Sequence, residues 1–321
     1  MTMGCARRAL RKATGGHLYD PNVTLVDFGH PKRRGRIMGE ELAVRVHVRR
    51  KLAGFELEAA LMRGTTTASI PREIEGFPTD VIEATYRAHL WPWSYAPRSA
   101  PTSVRGRRFD PLRGGVSISD EYHHAYATLG GLVVDRASGA EMILSNWHVL
   151  VASWRARAGQ RIVQPGRLDG GSAADAIAAL TRDAMAANLD AAIAALTGRR
   201  ELLNDQLQLG PVRGVGSAEL DMRTVKSGRR TAVTHGAVVG IEGEAKLTYS
   251  GVQRVIRRVI SIEPPHAGGE VSAGGDSGSW WLEMKSRRAV GLHFAGSDAP
   301  ETALAMDMPA VLNALDVAVV I

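Results

Sequence analysis

From about Ser119 to Ile321 the sequence is broken into short apolar runs parted by glycine. They include Leu129-Gly-Gly-Leu-Val-Val134, Glu141-Met-Ile-Leu144, Arg161-Ile-Val-Gln164, Thr231 to Ile241, Val252 to Ile262, Ser279-Trp-Trp-Leu282 and Val290-Gly-Leu-His-Phe294. Many short strands at this spacing predict a mainly β body, a sandwich or a barrel. The 35 glycines and an aromatic content of only 5% fit a chain rich in turns. Pro309 to Val319 carries an apolar face at helical spacing and predicts a closing C-terminal helix.

Composition removes several classes. A chain that is 45% hydrophobic and 23% charged is neither disordered, collagenous nor a coiled coil. No apolar stretch approaches 18 residues, so neither a membrane-spanning helix nor a membrane partner is expected. The single cysteine, Cys5, excludes an intrachain disulfide and a cysteine-based zinc finger. The formal charge is +7, and Arg105-Gly-Arg-Arg108 is locally basic. No aromatic platform or basic helical face accompanies it, so nucleic acid is not an expected partner. The basic N-terminus lacks the apolar run of a secretory signal, which points to a cytoplasmic protein.

Four regions follow in order. Residues 1–21 read as a basic, solvated tail, with a short basic helix as the alternative. Residues 22–90 read as a small α+β unit, with a strand near Val23 to Phe28, a half-buried strand over Leu42 to Val48, a helix over Phe55 to Met62 and a strand over Thr79 to Thr85. Residues 91–118, rich in Pro, Arg and Gly, read as a linker. Residues 119–321 form the β body. The N-terminal unit shows no chemistry of its own. It is the candidate for substrate selection, homo-oligomer contacts or autoinhibition.

Three patterns in the body carry chemistry. Met142 to Leu150 is a strand running into His148. Asn188 to Ala194 places Asp190 at the head of an apolar strand. Gly274-Gly-Asp-Ser-Gly-Ser279 sets Ser277 in a glycine-flanked turn. A serine hydroxyl needs a base to take its proton as it attacks, and imidazole does this near neutral pH. A buried carboxylate fixes the imidazole tautomer. Gly275 and Ser277 are placed to supply two backbone N–H groups to an oxyanion, and Gly278 leaves room for substrate. Asp183 is the second choice for the acid, because the Ala-rich stretch from Ser172 to Leu196 also suits one long helix. His235 and His293 are rival bases with poorer placement. His123 and His124 are adjacent and would face opposite ways on a strand, so no metal site is read there.

With these motifs the chain resembles the trypsin-like, chymotrypsin-fold serine peptidases, and among them the cysteine-free bacterial and plant NARROW LEAF-like branch. Gly275-Asp-Ser-Gly278, Ser145-Asn-Trp-His-Val149, Gly114-Gly-Val-Ser-Ile118, Gln164 to Gly171, Val225 to Arg229 and Ala289 to Gly296 carry the likeness. The resemblance implies two packed six-stranded β-barrels. It implies a serine endopeptidase acting on protein or peptide substrate through Ser277, His148 and Asp190, with no metal or organic cofactor. It places the first specificity pocket at Val271, Phe294, Ala295 and Gly296, which suits small or medium apolar side chains. It also implies a cationic partner for Asp276, either a newly cut amine or, with this long N-terminal extension, one of Lys226, Arg229 and Arg230. The alternative is a catalytically latent scaffold or binding protein on the same fold.

Overall fold

The structure, a computed structural model, describes residues 3–33, 36–37, 41–88 and 103–321. Its first element is a helix, Met3–His17 (α1). Val23–Gly29 (β1) and Ala43–Val48 (β2) pair antiparallel, Val26 opposite Val46 and Phe28 opposite Val44. Phe55–Met62 (α2) carries the chain across to Phe77–Glu83 (β3), which lies parallel to β2. A parallel neighbour requires such a crossover.

Met3–His17 is therefore not a solvated tail but the short basic helix, docked on the sheet. Ala6, Ala9, Leu10 and Ala13 form a stripe at helical spacing that packs on Val26, Phe28, Val44 and Val46. Arg7, Arg8, Arg11 and Lys12 interleave with that stripe and mask it in a reading by charge. The opposite face of the sheet is also covered, so β2 is buried along its whole length rather than on alternate residues. Its polar members are paired. Arg45 donates through Nε to Asp27 Oδ1 at 2.7 Å and through an Nη to Oδ2 at 2.5 Å, and Ser261 Oγ donates to Oδ2 at 2.6 Å. Buried charges persist only under such pairing.

The first barrel comprises Ser117–Asp120 (β4), Gly131–Asp135 (β5), Glu141–Ser145 (β6), Arg161–Val163 (β7), Ala176–Asp183 (β8) and Ala192–Leu196 (β9). Their order is β4-β7-β8-β9-β6-β5. The ring closes because the residues leading into β5 pair back on β4, Ala127 opposite Ile118. The second barrel comprises Arg223–Gly228 (β10), Ala232–Tyr249 (β11), Val252–Glu263 (β12), Trp280–Glu283 (β13), Ala289–Asp298 (β14) and Glu301–Asp307 (β15). Its order is β10-β13-β14-β15-β12-β11, and β11 returns to β10. The mainly β, two-barrel fold expected from the sequence is thus present.

Met308–Ala314 (α3) follows, with Pro309 in its first turn and the Asp307 side chain accepting from the Ala310 amide at 3.4 Å. It is shorter than the helix expected over 309–319. Asp316 has φ 49°, and Val317–Val319 (β16) returns to pair with β5. At its other edge β11 accepts β1, Leu25 opposite Ala245 and Phe28 opposite Ile241. The N-terminal sheet and the second barrel are one continuous sheet.

The linker expected over 91–118 fails where it is described. Arg105 is 4% exposed and donates to Ser227 Oγ at 2.6 Å and Gly115 O at 3.1 Å. Leu112–Gly114 runs parallel to Leu202–Gln206. A buried guanidinium needs acceptors, and here they fasten this segment onto the second barrel. Trp91, Trp93, Pro97 and Pro101 lie outside the described residues. Among the described residues no helix is long and apolar enough to cross a membrane.

Candidate active site

β6 ends at Ser145, and the helical turn Trp147–Leu150 begins directly after it. His148 sits in that turn, with Nδ1 2.5 Å from Asp190 Oδ2 and its amide donating to Oδ1 at 3.1 Å. Asn146 Nδ2 donates to the Asp190 carbonyl at 2.8 Å. A carboxylate only accepts, so Nδ1 donates to Asp190, and the neutral ring held this way has its lone pair on Nε2. Nε2 is buried and has no hydrogen bond among the described residues.

Asp190 reaches this position because the Ala-rich stretch is a hairpin, not a helix. β8 and β9 pair antiparallel, Leu180 opposite Ala194. Between them Asn188 takes φ 61°, a left-handed conformation that Asn tolerates. Asp183 is exposed and accepts from the Met185 amide at 2.9 Å, so it is not the partner of His148.

Tyr249 was not singled out in the sequence. It closes β11 just before the turn at Ser250 and Gly251, and it lies 6.1 Å from the His148 ring at an interplanar angle of 36°. Its carbonyl accepts from Trp154 Nε1 at 3.1 Å. Burial, and then the nearby Asp190 charge, push its phenol well above the ordinary value. No local motif marks it, because β11 brings it from the second barrel onto the first.

Ser277 lies in the turn entering β13. Gly275 has φ 107° and Gly278 φ 95°, which only glycine adopts comfortably. A Cβ on Gly275 would strike Tyr126, and one on Gly278 would strike Ser145. Among the described residues the Gly275 and Ser277 amides donate to nothing, while the Asp276, Gly278 and Ser279 amides bond to Ala273 O, His293 O and Asp276 O at 3.0 Å each. Ser277 Oγ faces Phe294 O at 3.5 Å rather than His148.

Thr128 joins the two halves. Its amide donates to Ser277 O at 2.8 Å, its hydroxyl donates to Gly275 O at 2.9 Å, and its carbonyl accepts from Ser145 Oγ at 2.9 Å. The strand that leads into His148 is thereby bonded to the residue that holds the serine turn.

Asp276 is fully buried. Its cation is Lys226, with Nζ 2.8 Å from Oδ2, while Arg229 turns to Asp169 with Nε 2.8 Å from Oδ2. Arg230 contributes only its backbone amide, at 2.8 Å. Burial alone would raise the Asp276 carboxyl, but the Lys226 charge and the hydrogen bonds outweigh it and hold the group well below the ordinary range. Asp27 is held low in the same way by Arg45. A depressed carboxyl contributes stability that is complete above its unfolded value near 4 and lost as pH falls toward the folded one. The contribution of these two carboxylates to the urea midpoint is therefore expected to be constant from pH 7 to about 5 and to fall steeply below about 4, beyond any loss from the buried His47 as it is forced to take up a proton.

Val271, Phe294 and Ala295 are buried in core clusters, and Gly296 sits beside them on β14. Val271 is packed with Val238, Ile262 and Trp281, so it is a core residue as much as a pocket wall. Glu301, which the sequence reading passed over, accepts from the Val271 and Ser272 amides at 2.8 and 3.2 Å. The rival bases lie elsewhere: His235 is exposed on β11, and His293 is buried against Trp281. His123 pairs with Asp120 at 2.8 Å. Among the described residues no group of three or more His, Cys, Asp or Glu is arranged to hold a metal.

No protein-family model matches the chain, and no curated protein matches it. Solved structures do. A glutamic acid specific serine protease aligns over 65% of this chain and 100% of its own at 17% identity and a TM-score of 0.47. Cellulomonas bogoriensis chymotrypsin aligns over 66% and 99% at 17% identity and 0.47. Thermobifida fusca Protease A aligns over 65% and 98% at 14% identity and 0.48.

Chemically, the site combines an imidazole oriented by a buried carboxylate, a hydroxyl in a glycine-flanked turn, and two amides that donate to nothing among the described residues. These are the elements of acyl transfer through a serine.

Proposed function

We propose that the chain is a serine endopeptidase of the chymotrypsin type. The observation that carries this is the buried contact between His148 and Asp190, with Nε2 unbonded among the described residues, in the helical turn that follows the strand Thr128 ties to the Ser277 turn. In the reaction Ser277 Oγ turns from Phe294 O to Nε2, gives up its proton and bonds to the substrate carbonyl carbon. The oxyanion accepts from the Gly275 and Ser277 amides. Protonated His148 then passes the proton to the leaving amine, and water, deprotonated by the same imidazole, releases the acyl group. Nucleophile and base are both side chains, so the mechanism needs no cofactor. Val271, Phe294, Ala295 and Gly296 favour a small or medium apolar residue before the cut bond. Affiliation to the cysteine-free bacterial branch rests on Asn146-Trp-His-Val149, and affiliation to the NARROW LEAF-like proteins on the small N-terminal unit with Gly114–Ile118, Gln164–Gly171, Val225–Arg229 and Ala289–Gly296.

A fluorophosphonate probe tests the reading. The adduct is expected on the peptide containing Ser277, together with cut sites in a protein digest. Asp190→Asn is expected to lower kcat by about 10⁴ with little change in KM, through the wrong imidazole tautomer. Unchanged kcat in that variant would remove Asp190 from the mechanism. One observation favours the latent-scaffold alternative: Ser277 is 0% exposed and its hydroxyl is turned away from His148. That alternative predicts no adduct in any form of the chain.

A further inference from the structure

The N-terminal unit ends beside the serine. After β3 the chain runs through Ala84 and Tyr86 into Arg87–Ala88, which adds a short antiparallel strand to β14. Ala88 stands opposite Ala295 and Arg87 opposite Gly296. The residue before Ala295 is Phe294, whose carbonyl faces Ser277 Oγ at 3.5 Å. An extended peptide brought to Ser277 along β14 would need the same main-chain positions, since one edge accepts one strand.

The approach to this strand is fixed by buried groups. The Ala84 amide donates to Val48 O at 2.9 Å, and Thr24 Oγ1 donates to Ala84 O at 2.9 Å. The Tyr86 hydroxyl lies 2.7 Å from His47 Nδ1, and His47 Nε2 lies 3.4 Å from Asp27 Oδ1. A carboxylate cannot donate, so Nε2 donates to Asp27 and Nδ1 accepts from Tyr86. Tyr86 is thus fastened through His47 to the Asp27 centre that also binds Arg45 and Ser261. Ser277 and His148 are 0% and 4% exposed in this arrangement.

We infer that Arg87–Ala88 is a built-in occupant of the peptide-binding edge of β14, so that the full chain rests in a self-blocked form and a substrate must displace this strand. The inference rests on the peptidase reading and specifies its regulation. The ligand class of the edge is an extended peptide, and the resident occupant is the chain's own segment.

Two variants of the full chain test it. Ala88→Pro fixes φ, lacks an N–H and crowds the preceding residue, all of which disfavour pairing of this two-residue strand. It is expected to raise the rate of fluorophosphonate labelling at Ser277 about tenfold or more, the scale of losing one or two net hydrogen bonds. It is also expected to speed amide exchange at Ala295 and Gly296. Conversely, Ala88→Cys with Ala295→Cys, in a Cys5→Ser background, joins directly opposed residues, whose spacing in an antiparallel pair suits a disulfide. The oxidised form is expected to resist labelling and the reduced form to recover it. Equal labelling of the parent and a folded Ala88→Pro, or of the oxidised and reduced lock, overturns the inference and leaves the peptidase reading intact. Absence of labelling in every form, with exchange at Ala295 raised by Ala88→Pro, overturns the peptidase reading and the inference together.

Discussion

Ser277→Ala is expected to abolish covalent labelling and to reduce peptide hydrolysis by about 10⁶, the scale seen when a serine nucleophile is removed from a triad. The folded state should change little. Ser277 Oγ makes one long contact to Phe294 O, and a neutral hydrogen bond contributes about 1 kcal/mol at most here. Thermal denaturation of the variant should therefore overlay the parent while activity disappears, which separates loss of chemistry from loss of structure. Because Arg87–Ala88 occupies β14, the comparison is also to be made in the Ala88→Pro background, where the activity to be lost is larger. Hydrolysis that survives Ser277→Ala at the parent rate would end the proposal that this hydroxyl is the nucleophile.

Lys226→Met should strongly destabilise the second barrel. It leaves the Asp276 carboxylate fully buried without its cation, and breaking one side of a buried ion pair costs about 3–5 kcal/mol. The remaining donors, the Arg230, Thr231 and Ala273 amides and the Thr231 hydroxyl, compensate in part. The Asp276 carboxyl should rise once Lys226 is gone, so the stability gap between variant and parent should be wider at pH 7 than at about pH 4, where the orphaned carboxyl takes up a proton. Adding Asp276→Leu removes the orphaned charge and should recover part of the loss, which a double-mutant cycle by urea denaturation measures. A Lys226→Met stability within about 1 kcal/mol of the parent would show that the pair is dispensable. The effect should reach the site, because Asp276 lies between the two residues whose amides are assigned to the oxyanion.

The motifs that were legible are those whose chemistry is local. His148 at a strand end and Ser277 between glycines declare themselves within a few residues, and the strands of the barrels follow from short runs parted by turns. Asp190 was less legible because alanine favours helix, and only the β8–β9 ladder, a tertiary pairing, overrides that propensity. The partner of Asp276 was narrowed to three cations. The choice fell to Lys226, whose place in β10 opposite Trp281 puts its ammonium beneath the serine turn. What no window of sequence carried were contacts between distant segments: Tyr249 against His148, the apolar stripe of α1 on β1 and β2, and Ala88 against Ala295. The linker reading failed for a related reason. Arg105 looks solvent-seeking by type, and only the acceptors around it show that it is interior.

The pairing of β1 with β11 means that the first third of the chain is not a detachable cap. Stripping it away would expose a raw ladder of main-chain donors and acceptors along the longest strand of the second barrel, an invitation to clump. Freeing the serine must therefore be a matter of loosening a thread while its anchor stays sewn in.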